Sequence, residues 1–412
     1  MKINRAYKTE LNPNNEQRGA FMQHAGKARF VYNWALADRI ERYEAGNPTN
    51  LYEQKRRFNA LKDEEFPWIR QTAYIITDQA FRNLDAAYQN YFRQKKDGTV
   101  AKRIADLKHN GHWATRAARL QKRGYHGYQL DPGFPRFKSR KQGIVPFTMR
   151  GSIHIEQGRI KLPRIGWVRL KEKSYLPTGG VGILSVNISE KAGRWFASAQ
   201  VEMDVPDPEP GAGEPLGVDF GSKTLAYCSD GTTFENPRSR SQGDRKLKRL
   251  QRELSRRKRG GKNWQKTKRK IARHYAKMTN IRKHALHNIS YHVTAKTKPS
   301  TVVVEDLNVA GMLKNHCLAK ALADASFGEL RRQIEYKGQW YGVDVVVADR
   351  FYPSSKTCSG CGSKKPLLKL SDRTFVCEEC GMVIDRDLNA ALNLASLVNG
   401  VNRQTDGDCL WS

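Results

Sequence analysis

Apolar positions near the start of the chain recur at helical spacing: Phe21, Ala25, Ala28, Val31, Trp34 and Leu36 fall close to one face. They predict a long helix that follows a strand at residues 3–11, INRAYKTEL, which ends at Asn12-Pro13. Helical stretches recur to about residue 93. The period then changes, because IHIEQGRIKLP, GWVRLK, GILSVNIS and WFASAQVEMDV, within residues 153–205, alternate apolar and polar positions between Gly-containing turns. That is the pattern of a small antiparallel sheet or barrel. Residues 94–130 between the two patterns are basic and weakly periodic, an extra basic helix or a flexible insertion. The Pro-rich PDPEPGAGEP of 206–215 reads as a linker, so the chain divides into two lobes there.

The second lobe opens with two short strands, LGVDF and TLAYCS, joined by a GSK turn. DGT then turns into a third strand, completing a meander with Asp219 inside its first strand. A charge within an apolar strand is costly unless it is paired or holds a metal. STVVVEDLN repeats the oddity, a pure strand pattern ending in Glu305 and Asp306. A helix over 326–341, opened by a Ser326/Glu329 capping box, leads to another strand, VDVVVAD. With Asp387 at a later helix entry, Asp219, Glu305 and Asp387 punctuate the lobe at intervals of 86 and 82 residues. A mixed sheet can bring three such carboxylates to one edge, the arrangement that holds two divalent cations about 3.5–4 Å apart on a phosphodiester. Oxygen ligands favour Mg²⁺ or Mn²⁺. Taken singly, each carboxylate reads as a strand end or a helix cap.

Cysteines supply the next constraint. Cys358 and Cys361 form one CxxC, Cys377 and Cys380 another, while Cys228, Cys317 and Cys409 are scattered. Two such turns offer four thiolates to one tetrahedral Zn²⁺, a closed structural site with no open position for catalysis. A disulfide framework is not the pattern, and a reducing cytoplasm fits. No apolar run approaches the length of a membrane span and the N-terminus lacks a signal-peptide core, which excludes a membrane protein. Charge is the strongest compositional signal: 73 Lys and Arg against 41 Asp and Glu give +32 over 412 residues. A surface so one-signed points to nucleic acid. Residues 238–283 carry 20 Lys and Arg against two acidic residues, with a narrow apolar stripe of Leu247, Leu250, Leu254, Ile271, Tyr275 and Met278. They read as two core-packed helices with a phosphate-contacting face. Tyr32, Trp34, Tyr52 and Tyr74 among the N-terminal basic residues are candidates for base stacking, although packing outweighs it as the reading of each.

GVDFG, VVVEDLN, the paired CxxC and DRDLNAALNL, in that order, closely resemble the split RuvC-like nuclease of the TnpB (OrfB) family. These are insertion-sequence RNA-guided DNA endonucleases related to compact type V CRISPR effectors. LNPNNEQ followed by GKARFVYNWAL, and GFPRFK at 133–138, resemble the family's N-terminal signatures, so the likeness covers nearly the whole chain. The resemblance implies an α/β multidomain protein. Its parts would be a β-barrel wedge domain (1–12 and 130–205) carrying a helical recognition insertion (13–129), a linker (206–215), an RNase-H-like (RuvC) mixed-sheet nuclease core (216–351 and 385–400) with a zinc-finger insertion (352–384), and a flexible tail (401–412).

By position, the resemblance makes Asp219, Glu305 and Asp387 the catalytic triad, with Mg²⁺ or Mn²⁺, and leaves Asp385 outside it. Zn²⁺ would sit on Cys358, Cys361, Cys377 and Cys380, in a knuckle that fixes where the helix near Asp387 begins. Guide RNA and target double-stranded DNA are the implied partners of a cytoplasmic monomer bound to one RNA. Expected contacts to nucleic acid are Arg136, Lys138, Arg245, Lys248, Arg249, Arg252, Arg256, Arg257, Lys258, Arg259, Lys268 and Arg269. Tyr52, Tyr74 and Asp78 are expected to read the short target-adjacent motif. Two alternatives stay open, a nuclease-inactive guide-directed repressor, which the three carboxylates argue against, and a transposase-type recombinase.

Overall fold

A computed structural model describes residues 1–405 except 141, 142, 180, 370 and 371, with side chains described outside 316–318 and 399–405. Cys317 as a side chain, Cys409 and the last seven residues of the expected tail lie outside the described residues. The chain forms two compact units, Met1–Val205 and Pro206–Ser412. Among the described residues no helix is long and apolar enough to cross a membrane.

The first unit begins with β1 (Lys2–Asn12), then α1 (Asn15–Glu44), α2 (Leu51–Leu61), α3 (Ile75–Lys96), α4 (Thr99–His109) and α5 (Trp113–Gln121). Six strands follow: β2 (Phe147–Met149), β3 (His154–Glu156), β4 (Arg159–Leu162), β5 (Gly166–Leu170), β6 (Gly182–Lys191) and β7 (Arg194–Asp204). The basic segment of open role is therefore helical over α4 and α5. All seven strands pair antiparallel in the order β2-β6-β7-β1-β5-β4-β3, so the N-terminal strand is central although most of its partners lie more than 150 residues on. Alternation drives this: Trp195, Ala197, Ala199 and Val201 of β7 point to one buried face, which Ile160, Val168, Ile188 and Phe21 of α1 complete. Asn14 starts α1 through a reciprocal capping box with Gln17. A second core joins α1, α2 and α3 through Val31, Leu36, Phe58, Phe81 and Leu84. Lys27 is buried between them and donates to the carbonyls of Ile69 and Ala73 at 3.1 Å, fixing the turn that precedes Tyr74.

The second unit contains β8 (Leu216–Asp219), β9 (Thr224–Cys228), β10 (Thr233–Glu235), α6 (Ser239–Ser255), α7 (Lys262–Tyr291) and β11 (Thr301–Val304). It continues with α8 (Val309–Met312), α9 (His316–Ala325), α10 (Phe327–Tyr341), β12 (Asp344–Val347), β13 (Thr374–Val376), β14 (Val383–Asp385) and α11 (Arg386–Thr405). Five strands run in the order β10-β9-β8-β11-β12; β9 is antiparallel to both β10 and β8, and β8, β11 and β12 are parallel. Parallel neighbours need long crossovers, which the α6–α7 hairpin and the run α8–α10 supply. Leu216, Val218, Val302 and Val304 face Leu286, Ile289, Leu330 and Ile334 of α7 and α10. On the other face Val303 meets Leu394 of α11.

Four expectations change. Asp219 ends its strand instead of standing inside it. Ser326 makes no capping bond; its left-handed backbone (φ 56°) forms the break between α9 and α10, and Glu329 pairs with Arg332 instead. The segment expected as a linker is tied to the second unit, since Gly211 N–H donates to Gly342 (2.8 Å) and Ser300 N–H to Gly213 (2.8 Å). Helix α11 passes residue 400, where the tail was expected to begin.

Helix α11 crosses β8 at Gly217, where an added Cβ would overlap the carbonyl oxygen of Ala391 and lie 2.6 Å from the amide nitrogen of Ala395. Both obstacles are backbone and cannot rotate away. Gly217→Ala is expected to destabilise the second unit by about 3 kcal/mol, the upper end for an overpacked core, or more. Urea unfolding of the two proteins measures this, and equal midpoints would refute the crossing.

Candidate functional site

Strand register places the first two carboxylates. Val218 of β8 pairs with Val304 of β11 in parallel, so the next residues, Asp219 and Glu305, leave neighbouring strands side by side. Adjacent strands lie about 4.8 Å apart and alternate side-chain direction, so Asp219 shares the face of Gly217, and Glu305 that of Val303. This is the face that α11 covers, and its first turn carries Asp387.

Asp219 and Glu305 leave neighbouring strands as a close carboxylate pair, and Ser354 donates its hydroxyl to Glu305 Oε1 at 2.9 Å. Burial, then the charges of Glu305 and Asp387, push the Asp219 carboxyl well above the usual carboxylate range, against a smaller pull from Arg386. Burial also raises Glu305, opposed by the Ser354 bond. Asp387 Oδ1 accepts from Arg386 Nη2 at 2.7 Å and Nε at 3.0 Å, and Arg373 lies 3.9 Å from Oδ2. Asp385 instead caps α11, its Oδ1 accepting from the backbone N–H groups of Asp387 (2.9 Å) and Leu388 (3.1 Å). Asp306 is spoken for by Arg331 and Arg350.

An oxygen-only donor set suits a hard divalent cation, and such an ion would relieve the repulsion among the carboxylates and displace the Arg386 contact. The oxygens lie less closely grouped than the thiolates. Among the described residues the four cysteines are the one His/Cys/Asp/Glu group whose ligand atoms all lie within 4.8 Å of one another. Their sulfurs approach to 3.6 Å in the pairs Cys358–Cys380 and Cys361–Cys377, close to the ~3.8 Å edge of a tetrahedron with ~2.3 Å metal–sulfur bonds. The Ser363 hydroxyl brings the Cys377 thiol down to about 6, towards the thiolate that a metal needs. The four cysteines fit a structural ion.

In the α6–α7 hairpin Leu247, Leu250 and Met278 are buried, Leu254 and Ile271 partly so, and Tyr275 is exposed. The two acidic residues are used locally, Asp244 against Lys320 and Glu253 against Arg257 and Thr267. Arg245, Lys248, Arg249, Arg252, Arg256, Lys258, Arg259, Lys268 and Arg269 are exposed, Lys268 with its ammonium 5.3 Å from the centre of the Trp264 ring, whereas Arg257 also donates to the Asn263 carbonyl. In the first unit Arg136 and Lys138 have internal partners: Arg136 donates to the Asp131 carbonyl (3.0 Å) and covers the Tyr125 ring, and Lys138 Nζ sits 3.7 Å from the centre of the Tyr32 ring. Tyr32 is buried, whereas Tyr52 and Tyr74 are 78% and 63% exposed, with Lys62 against the Tyr74 ring. Asp78 pairs with Lys55 and Arg82.

Sequence reasoning passed over Arg386, Arg373, Ser354, Asn389 and Asn393. Only Arg386 carried a local signal, as the cation between two aspartates. The remaining four act across long sequence intervals that no local pattern reveals.

Burial and mutual repulsion raise the Asp219 and Glu305 carboxyls above their ordinary range, so the stability they contribute is complete below that range. It is lost as pH rises through the raised values. The metal-free protein is therefore expected to lose thermal stability toward neutral pH, and Asp219→Asn to flatten that loss and raise the neutral-pH melting point. Parallel pH profiles for the two proteins would refute the raised Asp219 carboxyl.

Comparison with known proteins gives these residues a family. A family profile described as "Probable transposase" (OrfB_IS605) matches residues 198–316, one described as "Cas12f1-like, TNB domain" matches 327–394, and one described as "Helix-turn-helix domain" (HTH_OrfB_IS605) matches 1–48. A "Putative RNA-guided DNA endonuclease" of Streptomyces pristinaespiralis is 32% identical over 98% of this chain and 92% of its own. "Putative RNA-guided DNA endonuclease InsQ" of Escherichia coli (strain K12) is 32% identical over 97% of this chain and 94% of its own. Among solved structures, the mini-RNA-guided endonuclease CRISPR-Cas_phi3 aligns at a TM-score of 0.49 and 10% identity, covering 96% of this chain and 92% of that one. With full-length relatives at this identity, the chain belongs to the TnpB (OrfB) family.

Proposed function

We propose that the protein is an RNA-guided DNA endonuclease: a guide RNA pairs with target DNA beside a short motif read by the protein, and the second unit hydrolyses phosphodiester bonds. The observation that carries this reading is the register of Asp219 and Glu305 on parallel neighbours with Asp387 on the helix above them. The names of the full-length relatives support it. The strand order and directions of the five-stranded sheet favour an RNase-H-like core. The seven-stranded antiparallel sheet, with helices between its first and second strands in sequence, favours the wedge and recognition arrangement of the family.

Asp219, Glu305 and Asp387 would hold Mg²⁺ or Mn²⁺, which when bound supplies Lewis-acid stabilisation of charge on the phosphate oxygens. This chain's own groups do the rest. Ser354 orients Glu305, Arg386 neutralises Asp387 while the site is metal-free, and Asp385 fixes the start of α11. Cys358, Cys361, Cys377 and Cys380 would hold Zn²⁺ structurally. Exposed Tyr52 and Tyr74, with Asp78 on α3, are the proposed readers of the target-adjacent motif, and the outward cations of α6 and α7 the proposed grip on guide phosphates. Arg136 and Lys138, held by internal partners, shape their own segment before any contact to nucleic acid.

Replacing Asp219, Glu305 or Asp387 singly by Ala is expected to abolish cleavage by the purified ribonucleoprotein while guided DNA binding survives, because binding rests on pairing and phosphate contacts. Asp385→Ala should reduce stability with activity retained. Full cleavage by Asp387→Ala would overturn the assignment, and joined DNA ends among the products would favour a recombinase.

The hairpin predicts a salt signature. Neutralising Arg256, Arg257, Lys258 and Arg259 together is expected to lower the slope of log K against log salt for guide RNA by up to about 3, at ~0.7–0.9 for each phosphate that is no longer neutralised. The accompanying fall in cleavage should be uniform across target sequences. An unchanged slope would make this run a solvated face only.

A further inference from the structure

Helix α11 carries two buried carboxamides four residues apart, Asn389 and Asn393, which are 0% and 4% exposed. Residues at this spacing share one helix face. A face selected only for packing would be apolar, since each buried amide left unpaired costs about 1–3 kcal/mol. Both side chains bind the backbone of the cysteine knuckle. Asn389 Nδ2 donates to the Thr357 carbonyl at 2.7 Å, and its Oδ1 accepts from Ser359 N–H at 2.9 Å. Asn393 Nδ2 donates to the same Thr357 carbonyl at 2.6 Å and to the Ser354 carbonyl at 2.8 Å. Thr357 and Ser359 flank Cys358, so the clasp closes around the first thiolate. At the other end Ser354, 3% exposed, donates to Glu305.

The bonds form an unbroken line from Ser359 and Thr357 at the knuckle through Asn389, Asn393 and Ser354 to Glu305, the strand neighbour of Asp219. The knuckle also reaches the site by a second strand of contacts. β13 pairs with β14 at Thr374 and Asp385, and Arg386 N–H donates to the Arg373 carbonyl at 2.8 Å. Small metal knuckles fold with their ion and loosen without it. When this one loosens, Asn389 and Asn393 lose their acceptors and Ser354 loses the anchor of its own carbonyl.

We propose that Ser354, Asn389 and Asn393 are positioning residues that couple the four-cysteine knuckle to Glu305, so that an ion in the knuckle sets the divalent-cation affinity of the carboxylate site. The inference rests on the carboxylate reading of Asp219, Glu305 and Asp387. Hydrogen-bond partners of a metal-ligating carboxylate typically govern 10–100-fold in metal affinity, and one hydroxyl donor belongs at the lower end.

The test is Mn²⁺ titration of the full-length protein by calorimetry, with zinc content measured in each sample. Ser354→Ala is expected to keep its zinc and weaken Mn²⁺ binding about tenfold, and Ser354→Thr, which keeps the hydroxyl, to restore affinity. Zinc-stripped parent protein, or Cys361→Ser, should lose Mn²⁺ affinity by a similar factor. Adding Ser354→Ala to either should lower affinity little further, because a shared route makes the losses non-additive. Parent-like Mn²⁺ affinity in Ser354→Ala, or fully additive losses, would overturn the coupling. Glu305→Gln separates the two levels: if it weakens Mn²⁺ binding while Ser354→Ala does not, only the relay fails, and if Glu305→Gln has no effect, the carboxylate reading fails as well.

Discussion

The close seat of α11 on β8 is the constraint on which the site depends. Two carboxylates come free with the sheet, because parallel register alone sets Asp219 beside Glu305. The third arrives only if a helix axis lies nearly against the strand, and Gly217 beneath Ala391 permits that. A side chain of any size there would lift the first turn of α11, with Asp387, away from the other two. Ala390 and Ala391, both buried, continue the same economy of bulk along the helix.

Electrostatics then divides the second unit into two regimes. Negative charge is gathered at one edge of the sheet, where burial and crowding raise the Asp219 and Glu305 carboxyls and the Ser354 hydroxyl and the Arg386 guanidinium offset the rest. Positive charge is spread over the outer surface of α6 and α7, where solvent screening makes repulsion small and local. The arrangement explains why a chain of +32 can fold: its excess lies where the dielectric is high, and its few concentrated like charges are individually neutralised.

Much of this was legible in the chain. Period-two alternation located β6 and β7, an unbroken β-branched run located β11, helical spacing located α1, and the CxxC pairs located the knuckle. Charge in otherwise apolar strand patterns singled out Asp219 and Glu305. Local signals misled where tertiary demands prevailed. Ser326 and Glu329 have the spelling of a capping box, yet the chain must turn through a left-handed residue between α9 and α10. Arg136 and Lys138 of GFPRFK have carbonyl and ring partners within the first unit that the sequence did not announce. The partners of Asn389, Asn393 and Ser354 lie 30 to 49 residues away in sequence, a distance over which side-chain bonding leaves no periodic trace.

The clasp on the knuckle is made almost wholly with main-chain atoms, the carbonyls of Ser354 and Thr357 and the N–H of Ser359. Main-chain atoms are the same in every residue except proline's missing N–H. The knuckle can therefore exchange nearly all its outward side chains over generations without releasing α11, provided the turn keeps its shape and its thiolates. Sequence drift is thus permitted in the very module that holds the helix, and a segment so placed is free to acquire new surface chemistry while the carboxylates behind it stay still.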